Sequence, residues 1–292
     1  MLPQRIAQSM SALIATEVRP SIVTWTLGGD VIHTAYGTNC TAIIGGDAVM
    51  LVDPLIAPAH ARLIEEALRG RTSAPVRFIV LTHHHTDHAL GSSWFAARGA
   101  AVLAHRTCAE RIAAEHPGLI ASRRARPELR ELFEDAVPVA PSVTFDAGLT
   151  LHLDDLEVEV WHPGWVHTPG DAFLYVPSER VAICGDLLFN GYHYNYEDAS
   201  VTGVRKGLEA LRALDAEVFV PGHGAVAGVD GVERQAEYHD AVEGIVRGTA
   251  ASEGDAVVIE AIRARFPAYR LGVVLPTAVA RFRQAAVRQS SS

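Results

Sequence analysis

An apolar run, Phe78-Ile79-Val80-Leu81, passes without a break into Thr82-His83-His84-His85-Thr86-Asp87-His88, and no other stretch restricts the chain so strongly. If the run is a strand, its end aims alternate side chains, His83 and His85, toward one point. The turn that follows redirects Asp87 and His88 toward a neighbouring point. Imidazoles beside a carboxylate suit zinc, iron or manganese. A histidine tag would be terminal and would lack both the strand and the aspartate. His84, between two candidates, is expected to face the other way, toward a supporting contact or solvent.

A donor set this dense calls for partners from elsewhere. His167 lies in Trp161-His162-Pro163-Gly164-Trp165-Val166-His167-Thr168-Pro169-Gly170-Asp171, Asp186 in Cys184-Gly185-Asp186, and His223 in Val220-Pro221-Gly222-His223-Gly224. Each is expected at a strand-to-loop junction beside glycine or proline, where the backbone turns tightly and passes close to an ion. Any one of them alone reads equally well as a turn residue. Cys184, two residues before Asp186, reads as a buried strand residue.

Around these donors strand and helix patterns alternate. Leu149, Leu151 and Leu153 share one face, Asp154-Asp155 turns, and Leu156, Val158 and Val160 share the next, which reads as a β-hairpin. Residues 172–176 and 180–184 flank Pro177-Ser178-Glu179 in the same manner. Helical spacing marks Leu63, Ile64, Ala67 and Leu68 before Gly70, and Val204, Leu208 and Leu211 before the strand at 218–220. Interleaved strands and helices indicate an α/β or layered α+β class. After Gly224 the pattern turns helical over 231–247, 255–265 and 273–287. Residues 1–228 are therefore expected to form the main domain and 229–292 a helical extension packed on it, with a loose Ser290–Ser292 tail.

Charge and cysteine content narrow the partners. The 292 residues include 25 basic and 34 acidic ones, 25 − 34 = −9, which argues against a grip on nucleic acid or anionic membrane and leaves a small-molecule substrate. Cys40, Cys108 and Cys184 are too few and too scattered for a disulfide framework or a four-thiolate site, and they fit a reducing cytoplasm. Residues 1–16 carry Arg5 and a short apolar stretch, but Gln8, Ser9 and Ser11 interrupt it before it has signal-peptide quality. No run approaches the roughly 18 apolar residues of a membrane span. Arg123, Arg124, Arg126 and Arg130, around Pro127, read as a solvated helix or as an excursion whose arginines meet a substrate carboxylate over the site.

These motifs together resemble the metallo-β-lactamase-fold hydrolase superfamily, whose signature T-H-x-H-x-D-H stands here as Thr82 to His88, with H-T-P-G at His167 to Gly170, G-D at Gly185-Asp186 and P-G-H-G at Pro221 to Gly224. The resemblance covers roughly residues 24–224. It implies a four-layer αβ/βα sandwich with metals at one edge between the sheets. It also implies that His83, His85 and His167 hold one ion, that Asp87, His88 and His223 hold the second, and that Asp186 bridges both. Asp53 resembles the superfamily aspartate that hydrogen-bonds the metal loop. A bridging aspartate looks more like the glyoxalase II and lactonase branches than like many true β-lactamases. The lactonases place a tyrosine three positions after it, where this chain has Phe189.

The implied chemistry is a dinuclear-metal hydroxide, most simply on zinc with iron or manganese as alternatives, that attacks a thioester or ester ahead of a lactone or β-lactam. Asp87 is the candidate for moving a proton to the leaving group. No G-x-S-x-G or phosphate-loop pattern offers another route. Tyr192, His193 and Tyr194, six to eight residues after Asp186, are expected to wall the substrate pocket, with packing onto the sandwich as the alternative. A rival reading is a mononuclear iron persulfide dioxygenase, which shares the fold and the early motif.

Overall fold

The computed structural model describes residues 13–31, 34, 36–250 and 253–290. Residues 1–12 and 291–292, which carry most of the readings of the N-terminal segment and the tail, lie outside them. The strands run β1 (Leu13–Arg19), β2 (Ile22–Leu27), β3 (Thr38–Ile44), β4 (Val49–Val52), β5 (Val76–Leu81), β6 (Ala101–His105), β7 (Val143–Phe145), β8 (Gly148–Leu153), β9 (Leu156–Trp161), β10 (Phe173–Val176), β11 (Val181–Asn190) and β12 (Val218–Gly224). The helices are α1 (Pro58–Arg69), α2 (Thr86–Ala89), α3 (Ser92–Ala96), α4 (Arg106–Ala125), α5 (Val201–Arg212), α6 (Val229–Gly248), α7 (Asp255–Arg265) and α8 (Leu275–Ser290).

Two blades face each other. One runs β1-β2-β3-β4-β5-β6-β7 and the other β12-β11-β10-β9-β8, and a single antiparallel pair, Thr38 opposite His223, joins them at β3 and β12. The hairpin read from alternation is present: Leu153 pairs with Leu156, and Leu156, Val158 and Val160 point inward while Glu157 and Trp161 face out. Ile22, Ile43, Met50, Val52, Val80 and Leu103 of the first blade meet Val158, Val160, Leu174, Val181, Ile183 and Val220 of the second in the central core. The outer face of the first blade packs on α1, α3 and α4 through Ile64, Leu68, Phe95, Ile112 and Ile120. The outer face of the second packs on α5 and on α6 to α8 through Leu208, Tyr238, Val242, Ile262 and Phe282. Two helical layers thus enclose two sheets, the four-layer sandwich. The C-terminal helices share one buried cluster with α5.

One expectation needs correction. Asp186 and His223 do not follow their strands, since β11 continues to Asn190 and β12 to Gly224. The parallel pairing slips between Ile183 and Gly185 and again between Gly185 and Phe189, so both donors sit inside bulged strands. Gly185 allows this. It adopts φ +51°, and a Cβ there would stand 2.6 Å from Thr82.

Candidate metal centre

The centre is built where β4, β5, β11 and β12 converge at the joined edge of the blades. Asp53, just after β4, takes φ +53°, an uncommon conformation for a non-glycine residue, and this turns its carboxylate back toward β5. Oδ1 accepts the Thr82 backbone N–H at 2.8 Å, and Oδ2 accepts the Thr82 hydroxyl at 2.6 Å and the His88 Nδ1–H at 2.9 Å. The strained aspartate therefore fixes both the start and the end of the histidine loop.

Two donor sets result. In the first, His85 Nδ1 lies 3.0 Å from His167 Nε2, and Asp186 Oδ2 lies 3.1 Å from His167 Nε2 and 3.6 Å from His83 Nε2. In the second, His88 Nε2 is 3.1 Å from Asp87 Oδ2 and 3.3 Å from His223 Nε2, which is itself 3.3 Å from Asp87 Oδ2. Asp186 touches the second set as well, through Oδ1 at 3.2 Å from His88 and Oδ2 at 3.4 Å from His223. Gly222 makes room for it, since a Cβ at that position would collide with Asp186 Oδ1. Donors about 2.0–2.1 Å from a common tetrahedral ion lie about 3.3 Å apart, so the spacing suits a shared cation better than direct hydrogen bonds between imidazole nitrogens.

The far nitrogens decide which nitrogen faces inward. His83 Nδ1 meets the Thr82 hydroxyl at 3.0 Å, His88 Nδ1 meets Asp53, His223 Nδ1–H donates to the Tyr36 carbonyl at 3.0 Å, and His85 Nε2 meets Asp198 Oδ2 at 3.2 Å. Each contact leaves the opposite nitrogen for the cluster. His167 is the exception. Its Nδ1 is buried without a partner, and the ring is held by the edge-on ring of Tyr194 at 5.4 Å instead. Its loop is pinned by Asp171, which accepts the backbone N–H groups of Val166, His167 and Thr168 and the Thr168 hydroxyl at 2.6–3.1 Å.

Burial and charge divide the two sets. Burial pushes His83 well below its usual range and His167 down to about 3, so both are neutral. Burial also opposes charge on His88 and His223, but Asp186 and Asp87 outweigh it, raising His88 well above its usual value and His223 to about 9. Burial raises Asp87 and Asp186 too, yet the neighbouring imidazolium charges hold both well below the carboxylate range. His83 Nε2 and Asp186 Oδ1 have no hydrogen-bond partner among the described residues. Orphaned buried donors of nitrogen and oxygen, with protons on two imidazoles balancing two carboxylates, fit divalent cations.

The cluster opens on a cleft of about 250 Å³ lined by Tyr36, His84, His85, Thr86, Asp87, Glu115, Leu119, Arg123, Asn195, Glu197 and Asp198. His84 does not face away from His85 as expected: it reaches Glu115 at 3.5 Å and shares Asp198 Oδ2 with His85, at 3.6 Å, with the two rings 4.8 Å apart. Cys184 is buried in β11 and joins none of the donor groups. The pocket wall expected from Tyr192, His193 and Tyr194 is corrected. All three are buried and none lines the cleft, because the aromatic run packs under the C-terminal helices: His193 meets Tyr238 at 3.1 Å, and Tyr194 meets Tyr196 at 4.8 Å between ring centres. The next residues, Asn195, Glu197 and Asp198, reach the cleft instead. The arginine segment divides as well. Arg126 and Arg130 are exposed, Arg124 bonds the carbonyls of Phe133, Glu134 and Ala136, and Arg123 is buried. Tyr36, stacked on His223 at 5.1 Å, and Asp198 were not singled out from the sequence.

Comparison with known proteins follows the same geometry. Residues 33–223 match the family model described as the metallo-beta-lactamase superfamily, which is more than half of the chain, and the chain belongs to that superfamily. It is 31% identical over 210 residues to a protein named 2,4-dinitroanisole O-demethylase subunit alpha from Nocardioides sp. (strain JS1661), covering 71% of this chain and 59% of that one. It is 31% identical over 175 residues to a hydroxyacylglutathione hydrolase from Acidiphilium cryptum (strain JF-5), covering 60% and 59%. The chain thus spans less than two thirds of the length of these relatives. Among solved structures, a metallo-beta-lactamase from Pontibacter korlensis superposes with a TM-score of 0.63 at 19% identity, over 78% of this chain and 99% of that one, a likeness of fold. No helix among the described residues is long and apolar enough to cross a membrane.

Proposed function

We propose that the chain is a metal-dependent hydrolase of small carboxylic acid derivatives, thioester or ester ahead of lactone or β-lactam. Its cofactors are two divalent cations, zinc foremost, with His83, His85 and His167 on one, Asp87, His88 and His223 on the other and Asp186 between them. The observation that carries this reading is the meeting of two donor sets on one carboxylate beneath an open cleft. When bound, the cations supply Lewis acidity toward a carbonyl oxygen and acidify a water at neutral pH. The rest is done by the chain itself. Asp53, Asp198, Thr82 and the Tyr36 carbonyl orient the imidazoles of His88, His85, His83 and His223, and packing holds His167. Asp87, which accepts the Thr38 hydroxyl at 3.2 Å, stands at the cleft wall, the position from which it would pass a proton to a leaving group. No serine or cysteine lines the cleft among the described residues. Three buried free thiols and the net negative charge support a reducing cytoplasm and a substrate that is neither nucleic acid nor lipid surface.

The hydroxyacylglutathione hydrolase relative favours the thioester, and the dinitroanisole relative puts an aryl methyl ether beside it as a competitor. The test is a panel of thioester, ester, lactone, β-lactam and dinitroanisole, run on protein of measured metal content with and without chelator, in air and without oxygen. Turnover of thioester or ester, lost with chelator and indifferent to oxygen, is the expected result. Preference for the ether overturns the substrate class. A strict oxygen requirement with one iron per chain overturns the hydrolase.

A further inference from the structure

Helix α4 buries a stripe of Cys108, Ile112, His116, Ile120 and Arg123 against the first blade. Four members are apolar or neutral, since burial holds His116 down to about 4 while its Nε2–H donates to the His84 carbonyl at 2.7 Å. The fifth carries a permanent charge at a position where the pattern calls for a hydrophobe. Arg123 is only 8% exposed. Its Nη2 donates to Thr86 Oγ1 at 2.5 Å, its guanidinium lies 4.9 Å from the centre of the Phe133 ring, and its Nη1 is buried without a hydrogen-bond partner among the described residues.

A buried guanidinium with no carboxylate in ion-pair contact is costly, and no such contact exists among the described residues. The other arginine beside the cleft is already committed: Arg111 binds Glu115 at 2.6 Å and Asp198 at 3.2 Å. The carboxylate whose charge acts on Arg123 is Asp87, since burial keeps the phenol of Tyr36 neutral. Asp87 belongs to the second donor set, where its charge serves the cation. Arg123 lines the same cleft as His85 and Asp87, so its unmet charge lies at the wall of the space a ligand would enter.

We propose that Arg123 anchors a carboxylate of the substrate, with one arm of the guanidinium held by Thr86 and the other donating to the incoming anion. The planar fork matches a carboxylate, and the buried setting makes such a charge-assisted bond strong. The substrate class is accordingly an acyl compound bearing a carboxylate a few bonds from the scissile carbonyl. This rests on the hydrolase reading for the word substrate, but the binding itself does not need turnover.

The test uses zinc-loaded full-length protein of measured metal content and two probes, 3-mercaptopropionate and its neutral amide, titrated by calorimetry. The thiol of each serves as a metal ligand, and only the acid carries the anion. Wild type is expected to bind the acid at least about tenfold more tightly than the amide, the scale of one hydrogen bond to a charged group. Arg123→Met is expected to bring the ratio to about one with zinc content unchanged, and Arg123→Lys, which keeps charge but loses the fork, to an intermediate value. Equal binding of acid and amide by wild type, or no binding of either, overturns the proposal without recourse to any variant. A ratio that survives in Arg123→Met, or in Arg123→Lys where the methionine variant does not fold, assigns Arg123 to holding Thr86 and overturns it too. If the protein hydrolyses none of the panel substrates yet keeps the acid preference, the hydrolase reading fails and the anchor stands.

Discussion

The two donor sets share Asp186 but reach readiness for a cation differently. His83 and His167 are neutral by burial, so two members of the first set present free nitrogens and only His85 is raised, by Asp198 against its burial, whereas both imidazoles of the second set, His88 and His223, carry protons that Asp87 and Asp186 hold in place. Their backing differs too. Around the second set, Asp53 grips His88, and Tyr36 and Phe189 stack on either side of His223 at 5.1 and 4.5 Å. Around the first, Asp198 reaches in from a loop to His85, and His167 rests on Tyr194. The two donor sets are therefore prepared differently: desolvation dominates in the first, where only His85 is raised by a carboxylate, and internal ion pairs dominate in the second.

The largest effect is expected at the shared residue. Asp186→Ala should release both ions and lower kcat/KM by at least about 10³-fold, the scale of several kcal/mol of lost cation stabilisation. His223→Ala should leave close to one ion per chain by metal analysis. Equal loss of both ions from His223→Ala would show that the sets are one cooperative unit and break the comparison.

Acidity separates the halves next. A protonated imidazole cannot ligate, so a cation entering the second set must displace the protons of His88 and His223. Its affinity should fall by up to about 10²-fold per pH unit as pH drops below about 9, one factor of ten for each proton displaced. The first set, neutral down to about pH 3 at His167, should hold its ion over the same range apart from the protonation of His85, which Asp198 favours. Titrating metal content from pH 8 to pH 6 checks this. Loss of the first ion before the second would contradict the assignment of protons.

The supporting carboxylates sharpen the contrast at a smaller scale. Asp53→Asn should weaken the second ion and Asp198→Asn the first, each by about 10- to 100-fold, as expected when the partner that orients a ligating histidine is weakened. Competition with a chromogenic chelator measures both constants. Weakening of the second ion by Asp198→Asn would mean that His85 does not belong with His83 and His167.

Much of this centre is legible in the chain because its residue types are rare and contiguous: no packing demand places three histidines, an aspartate and a fourth histidine after a buried strand. What is illegible is whatever the fold brings in from afar. Asp198 stands alone in a loop, and no spacing rule ties it to His85, 113 residues away. Arg123 had a signal, since helical steps from Ile112 through His116 and Ile120 place it on the buried stripe, but a cluster of arginines nearby favours the reading of a solvated face. The aromatic run after β11 carries no marker of direction. Three tyrosines and a histidine suit a pocket wall or a core equally, and the choice was made by Tyr238, Phe266, Tyr269 and Phe282 of the distant C-terminal helices and their connections.

The smallest expected effect tests the backing of the first set. Tyr194 is fully buried, stands edge-on to His167 at 5.4 Å and 4.8 Å from Phe189, and its hydroxyl has no hydrogen-bond partner among the described residues. If the ring supports His167 by packing alone, the hydroxyl is a desolvated polar group without compensation, and its removal relieves that cost. Tyr194→Phe should then leave metal content and kcat/KM within about twofold of wild type and leave stability unchanged or raised by up to about 1 kcal/mol in denaturant titration. A tenfold or greater fall in kcat with both ions bound would place the hydroxyl at the reacting atoms. The first donor set would then be distinguished by an acid-base group of its own rather than by the apolar support that sets it apart from the second.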